Sequence, residues 1–264
     1  MRTPRKIILL LIGWVLTSGC NGGANPQAPI LPEMVSTPNI TQNSNVATSD
    51  SLCNNPLLPA VQGATWLYYS TGGPNGDFAY SDTISDVKPD SFILTSQFDT
   101  NVLTQQWVCT PDGLRAMQLG GGTVASISMQ HMIADFKTLE VSGVILPNQI
   151  SPGMQWQYNI KMEGSMDMPG EQTQSPGIFS LTLQEVGQEN ITVPAGSFDA
   201  IKIQATFNAQ INADFQGSPV PYTINGSSIL WYAPHIGLIK SIENIDFSGT
   251  AFTSTTELQT YQMP

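Results

Sequence analysis

Ile191–Phe207, ITVPAGSFDAIKIQATF, is the stretch whose pattern decides the fold. Pro194 presets φ for a turn, and Gly196 can enter the positive-φ region that branched residues resist. Beyond the turn, Ile201, Ile203, Ala205 and Phe207 share one face, while Lys202, Gln204 and Thr206 share the other. A period of two marks a half-buried strand, so the segment is a tight β-hairpin.

Working outward, similar segments follow one another from Thr65 to Tyr261, among them Phe78–Val87, Gly177–Val186, Ala200–Asn208 and Ile229–Ala233. Pro89-Asp90, Pro111-Asp112-Gly113, Pro169-Gly170 and Asn225-Gly226-Ser227 read as the turns between them. Only Ile127–Leu139 has room for a short helix. Strands in direct succession form a mainly antiparallel sheet, so the expected class is all-β, a curved sheet or barrel-like sandwich.

The pattern also repeats. Gly63-Ala64-Thr65-Trp66-Leu67-Tyr68 returns as Gly153-Met154-Gln155-Trp156-Gln157-Tyr158. Trp107–Arg115, WVCTPDGLR, is answered by Trp231–Lys240, WYAPHIGLIK. Two matches in the same order suggest a duplicated β unit with halves at 53–145 and 146–264. Common strand and turn vocabulary is the alternative.

The amino end has another character. Arg2, Arg5 and Lys6 precede the apolar run Ile7–Leu16, which ends in small residues, so residues 1–19 read as a secretory signal. Leu16-Thr17-Ser18-Gly19-Cys20 resembles the bacterial lipobox, with Thr17 where Leu is usual. That resemblance implies lipidation of Cys20 and an anchor on the outward membrane face, periplasmic or extracellular. Residues 20–52 are rich in Asn, Pro, Thr and Ser without any sustained period, and read as a flexible tether. About 30 such residues give a root-mean-square reach of roughly 30 Å. The β domain then occupies 53–264.

Without the signal, six of the nine basic residues remain against twenty acidic ones, a net charge near −14. Arg115 is the single arginine left. Phosphate neutralisation needs clustered Lys and Arg, so nucleic acid is excluded as a partner, and docking on anionic lipid is disfavoured. The membrane is reached through the lipid. With Cys20 lipidated, Cys53 and Cys109 form an even pair in an oxidising compartment, and a disulfide is expected.

Val193–Lys202, VPAGSFDAIK, followed by Trp231–Lys240, resembles a set of uncharacterised bacterial exported domains. They carry a V-P-A-G-[ST]-F-D-A hairpin and a closing W-Y-A-P-G-V-G-L-V-K, with His235 here in place of the usual Gly. The likeness is strongest over about the last 80 residues. It implies an antiparallel β domain on an envelope lipoprotein and brings no catalytic residues. A looser analogy runs to lipoprotein-carrier folds, whose curved sheets cup acyl chains.

Catalytic material is sparse. No G-x-S-x-G occurs, and His131 and His235 are the only histidines. Ser85-Asp86-Val87-Lys88 matches S-x-x-K, but within a strand rather than at a helix start. Asp77, Asp82, Asp86 and Asp90 read as a solvated acidic edge that discourages edge pairing. Met129, His131 and Met132, or Met162, Met166 and Met168, could attract Cu(I), although core filling explains the same residues. No catalytic residue, metal site or cofactor is assigned.

Trp66, Tyr68, Trp107, Trp156, Tyr158, Trp231 and Tyr232 are the candidates for a ligand cleft, or alternatively anchors of the sheet core. The expected function is a non-catalytic binding module for a hydrophobic ligand, a glycan or an envelope protein. A scaffold lipoprotein without a small-molecule site is the rival, and a hydrolase of unrecognised type comes third. A continuous apolar groove beside the tryptophans would favour ligand binding; a filled interior with a flat exposed sheet edge would favour scaffolding.

Overall fold

The computed structural model describes residues 51–73, 76–99, 101–119, 136–165, 174–215, 218–247 and 249–264. Among them the regular structure is all β: β1 (Thr65–Thr71), β2 (Phe78–Ser85), β3 (Ser91–Phe98), β4 (Asn101–Thr110), β5 (Gly113–Ala116), β6 (Lys137–Gly143) and β7 (Leu146–Pro147), then β8 (Gln155–Ser165), β9 (Gln174–Val193), β10 (Gly196–Phe215), β11 (Ser218–Ala233), β12 (Gly237–Phe247) and β13 (Thr250–Gln262). They form one antiparallel sheet in the order β6-β8-β9-β10-β11-β12-β13-β1-β2-β3-β4-β5-β7.

The hairpin in Ile191–Phe207 joins β9 to β10 through Pro194 and Ala195, with Gly196 opposite Val193. Gly196 has φ +137°, so this turn uses the freedom that glycine supplies. Ile203, Ala205 and Phe207 are buried and Ile201 partly so, as period two requires. A bulge opposite Lys202 and Ile203 leaves Val186 as the extra residue of β9, and Val186 is exposed. The closing turn also keeps a left-handed residue, because His235 adopts φ +63° and stands exposed between β11 and β12.

Residues adjacent in the chain reveal how far the sheet bends. Val144 N–H donates to Gln157 O of β8 at 3.2 Å, and Ile145 N–H donates to Leu114 O of β5 at 2.8 Å. β5 and β8 belong to opposite ends of the sheet, so the sheet curls until its ends face each other. Among the described residues the ladder is not closed, since β6 pairs only with β8 and β7 only with β5. Gly143 makes the crossing possible: its φ is +74°, and a Cβ there would sit 1.9 Å from Gln157 O.

Chain segments outside the ladder add further ties. Cys53 and Cys109 form a disulfide with Cα atoms 5.0 Å apart, tying the segment before β1 to β4. Asn55, buried, donates through Nδ2 to Leu146 O at 3.1 Å and Pro147 O at 3.0 Å, and accepts from Leu57 N–H at 2.9 Å. His235 N–H donates to Pro56 O at 2.7 Å. The same short segment therefore holds β4, β7 and the β11–β12 turn together. Ser51 and Leu52, at the end of the expected tether, both bond to Pro89 O.

The two G-x-x-W-x-Y segments open β1 and β8. β1–β5 are followed by β6 and β7, which pair with β8 and β5; β8–β12 are followed by β13, which pairs with β1 and β12. Trp66 Nε1 donates to Ile236 O at 2.6 Å and Tyr68 Oη to Leu238 O at 2.9 Å. Trp156 Nε1 donates to Ile145 O at 3.0 Å and Tyr158 Oη to Ala116 O at 2.6 Å.

Three expectations need correction. Asn225-Gly226-Ser227 is no turn but the middle of β11, because Gly226 leaves room for the ring of Phe207, which a Cβ would meet at 2.3 Å. The short helix is displaced at its carboxyl end, where Lys137–Leu139 belong to β6; the rest of 127–139 is largely outside the described residues. Asp82 is not part of a solvated edge. It alternates with Tyr80 and Ile84 on the buried face of β2, whereas Asp86 lies exposed past the strand end. The signal, Cys20, Met129, His131, Met132, Met166, Met168 and the Pro169-Gly170 turn lie outside the described residues.

Candidate functional site

The inward faces of the curled sheet pack into two hydrophobic clusters, one around Trp66, Leu114, Ile203 and Leu258, the other around Tyr158, Ile160, Phe207 and Ile224. Each buried large side chain stabilises the fold by about 1.5–3 kcal/mol, so unfilled interior space requires notice. Such space is present. A cavity of about 180 Å³ has walls drawn from both clusters, including Leu94, Leu183, Leu230, Tyr158 and Phe207.

Of the aromatic candidates, Trp66, Tyr68, Trp107, Tyr158 and Tyr232 line this cavity. Trp156 is buried but absent from the wall, with its indole N–H spent on Ile145 O. Trp231 lies next to Tyr232 in β11 and falls on the opposite face of the sheet. Its Nε1 donates to Glu189, and Lys202 Nζ stands 5.4 Å from the ring centroid. Lys202 also lies 3.0 Å from Glu189. The hydrogen bond from Trp231 and the one from Lys202 hold the Glu189 carboxyl below its ordinary pKa.

Two acids stand in the apolar wall, Asp82 from β2 and Glu243 from β12. Asp82 is 9% exposed and Glu243 1%. Ser96 Oγ donates to Asp82 Oδ1 at 2.5 Å, which favours the ionised form, but burial prevails and pushes the Asp82 pKa up to about 7. Burial first, and the Asp82 charge second, raise the pKa of Tyr68, Tyr80 and Tyr232. Tyr68 and Tyr80 stack with centroids 5.0 Å apart. The described lining contains no Lys, Arg or His. Among the described residues, Trp107 Nε1, in the wall and buried, finds no acceptor, and neither the side-chain oxygen of Gln105 nor the hydroxyl of Ser254 finds a partner.

In the sequence Asp82 reads as part of an acidic edge, and no motif singles out Glu243. The signal was available: Asp82 stands two residues from both Tyr80 and Ile84, and Glu243 two from Ile245. Each charge therefore shares a face with core residues.

Lys88 Nζ pairs with Asp86 at 2.8 Å in the exposed exit of β2, so the S-x-x-K match is a surface ion pair. Among the described residues no three His, Cys, Asp or Glu side chains gather as metal ligands, and Met162 is packed in the second cluster.

A curled antiparallel sheet around a small acid-bearing apolar chamber is thus the class that the geometry defines. The chain belongs to the DUF3108-like family, whose profile matches residues 115–258, more than half its length. Among solved structures it is similar to a protein of Bacteroides fragilis inferred to be exported, with a YmcC-like fold: 16% identity, 76% of this chain and 96% of that chain covered, TM-score 0.46. A protein of Parabacteroides distasonis designated a lipoprotein gives 14% identity over 79% of this chain and 99% of that chain, with TM-score 0.45. The hypothetical lipoprotein YmcC of Escherichia coli gives 12% identity over 77% and 85%, with TM-score 0.34. No curated protein matches the chain in sequence.

Proposed function

We propose that this protein is an envelope lipoprotein, held through Cys20 on the outward membrane face, whose β domain binds a small hydrophobic ligand in the chamber of the curled sheet. The observation that carries the proposal is the 180 Å³ cavity walled by Trp66, Tyr68, Trp107, Tyr158 and Tyr232. Apolar cavities of about 150 Å³ accept a benzene molecule, so this one is sized for a single ring or a short branched chain. Aromatic walls offer such a guest dispersion contacts at little conformational cost. The amino-terminal signal and the lipobox-like run ending at Cys20 support the membrane location.

Native mass spectrometry of protein extracted from its own membrane tests the binding function. A small co-purifying molecule is expected on the wild type and is expected to be lost from Ala205→Leu, which places a larger side chain in the cavity wall. Consistently ligand-free wild-type protein would favour a scaffold role instead. The anchor is tested separately: Cys20→Ser is expected to move the protein to the soluble fraction.

A further inference from the structure

We infer that the ligand of this chamber carries a neutral hydrogen-bond acceptor, a carbonyl or ether oxygen on its apolar body, and that Trp107 Nε1–H is the donor that receives it. The assignment rests on the chamber being a ligand site, as proposed above, and adds the polarity of the guest.

The described tryptophans spend their indole protons alike, with one exception. Trp66 donates to Ile236 O at 2.6 Å, Trp156 to Ile145 O at 3.0 Å, and Trp231 to the Glu189 carboxyl. Trp107 lines the same chamber as Trp66 and is 6% exposed, yet its Nε1–H finds no acceptor among the described residues. An indole nitrogen can only donate, so no rearrangement of neighbouring N–H groups satisfies it. A buried donor left unpaired is costly, and an acceptor atom brought into the chamber removes that cost.

The strand and its neighbours hold this donor in place. Along β4 the buried Gln105, Trp107 and Cys109 alternate with exposed Gln106 and half-buried Val108, so period two sets the side of the sheet from which the indole projects. Phe92 stands opposite Trp107 in β3 and stacks on it, with ring centroids 5.8 Å apart and planes 10° from parallel. Two residues along, Cys109 is fixed by the disulfide to Cys53. A donor already ordered in this way costs a guest little further immobilisation.

Other wall groups narrow the chemistry. The hydroxyl protons of Tyr68 and Tyr158 go to Leu238 O at 2.9 Å and Ala116 O at 2.6 Å, which leaves Trp107 to recognise an incoming oxygen. Burial pushes the pKa of Asp82, in the same wall, up to about 7, toward its neutral form. A carboxylate on the guest would meet the same desolvation, whereas a carbonyl or ether oxygen accepts from Trp107 without bringing a charge into the chamber.

Three one-ring probes separate the possibilities: acetophenone, its near-isostere α-methylstyrene, in which CH₂ replaces the carbonyl oxygen, and benzoate. Each is titrated into the full-length protein by calorimetry. In Trp107→Phe, the affinity for acetophenone relative to α-methylstyrene is expected to fall roughly tenfold from its wild-type value. In wild type, the indole ¹⁵N–¹H resonance assigned to Trp107 is expected to move downfield with acetophenone and much less with α-methylstyrene; this measurement decides the matter should Trp107→Phe fail to fold. An unchanged affinity ratio, or a resonance that answers both probes alike, means that water or nothing meets the donor. Either result overturns the acceptor assignment and leaves the hydrophobic site standing, as does tighter binding of benzoate than of acetophenone. Failure of all three probes to bind overturns both.

Discussion

Trp66 and Ile236 are 170 residues apart in sequence, yet the indole Nε1–H of one donates to the carbonyl of the other at 2.6 Å. The bond joins β1 to the turn before β12, strands that are separated in the sheet by β13. Trp66→Phe keeps most of the apolar bulk but orphans the Ile236 carbonyl. Urea unfolding is expected to show a loss of about 1–3 kcal/mol. Trp156→Phe, which orphans Ile145 O, should cost a similar amount, and an unchanged midpoint in either variant would refute the structural role given to that bond.

The Cys53–Cys109 bond encloses a sequence separation of 56 residues and anchors the segment before β1. On the chain-entropy account, a loop of this size stabilises the folded state by roughly 4 kcal/mol. Reduction, or the pair Cys53→Ala with Cys109→Ala, is expected to lower the melting temperature markedly. Limited proteolysis should then cut first between Ser51 and Val61, a segment left with the hydrogen bonds of Asn55, Pro56 and their neighbours and the packing of Leu57 and Ala60.

Asp82 gives stability a definite pH dependence. Its pKa rises from 3.8 to about 7 on folding, so between those values the folded chain binds the extra proton. Stability therefore falls as pH rises through this window, and the loss is complete above about pH 7. The full effect has an upper limit of about 4 kcal/mol. Asp82→Asn, a neutral replacement that can still accept from Ser96, is expected to melt higher than wild type at pH 8.5 and to flatten the slope between pH 4 and 7. A variant whose melting curve tracks wild type across that range would contradict the buried placement.

The sequence made the all-β class readable because Ile203, Ala205 and Phe207 alternate with charged and polar neighbours, and because Pro194 and Gly196 punctuate them. The even pair of cysteines outside Cys20 likewise pointed to the disulfide. The length of β11 was not legible. Gly226 looks like a turn residue until Phe207, nineteen positions earlier, is seen to lie over it. Local propensity cannot carry information about a ring from the adjacent strand. The candidate site was half visible for the same reason. The aromatic residues stand out by type, while the acids are informative only when their parity is combined with a sheet that curls, and that curl depends on Gly143, Val144 and Ile145 reaching between strands far apart in the order.

Two glycines allow that dependence on the crossing to be measured. Gly143 and Gly196 both have positive φ, +74° and +137°, but their surroundings differ. A Cβ on Gly143 would fall 1.9 Å from Gln157 O and 2.8 Å from its carbonyl carbon, backbone atoms that cannot move without breaking the β8 edge. A Cβ on Gly196 would meet only the end of the Phe198 ring, at 3.4 Å, an ordinary contact. Gly196→Val is thus expected to cost about 1–3 kcal/mol, the strain of the turn alone. Gly143→Ala, though the smaller change, is expected to cost more than that and to loosen the seam, seen as faster amide exchange at Val144 and Ile145 than in wild type. If Gly143→Ala proves milder than Gly196→Val in denaturant melts, the close passage between β6 and β8 is not what lets the two ends of the sheet meet.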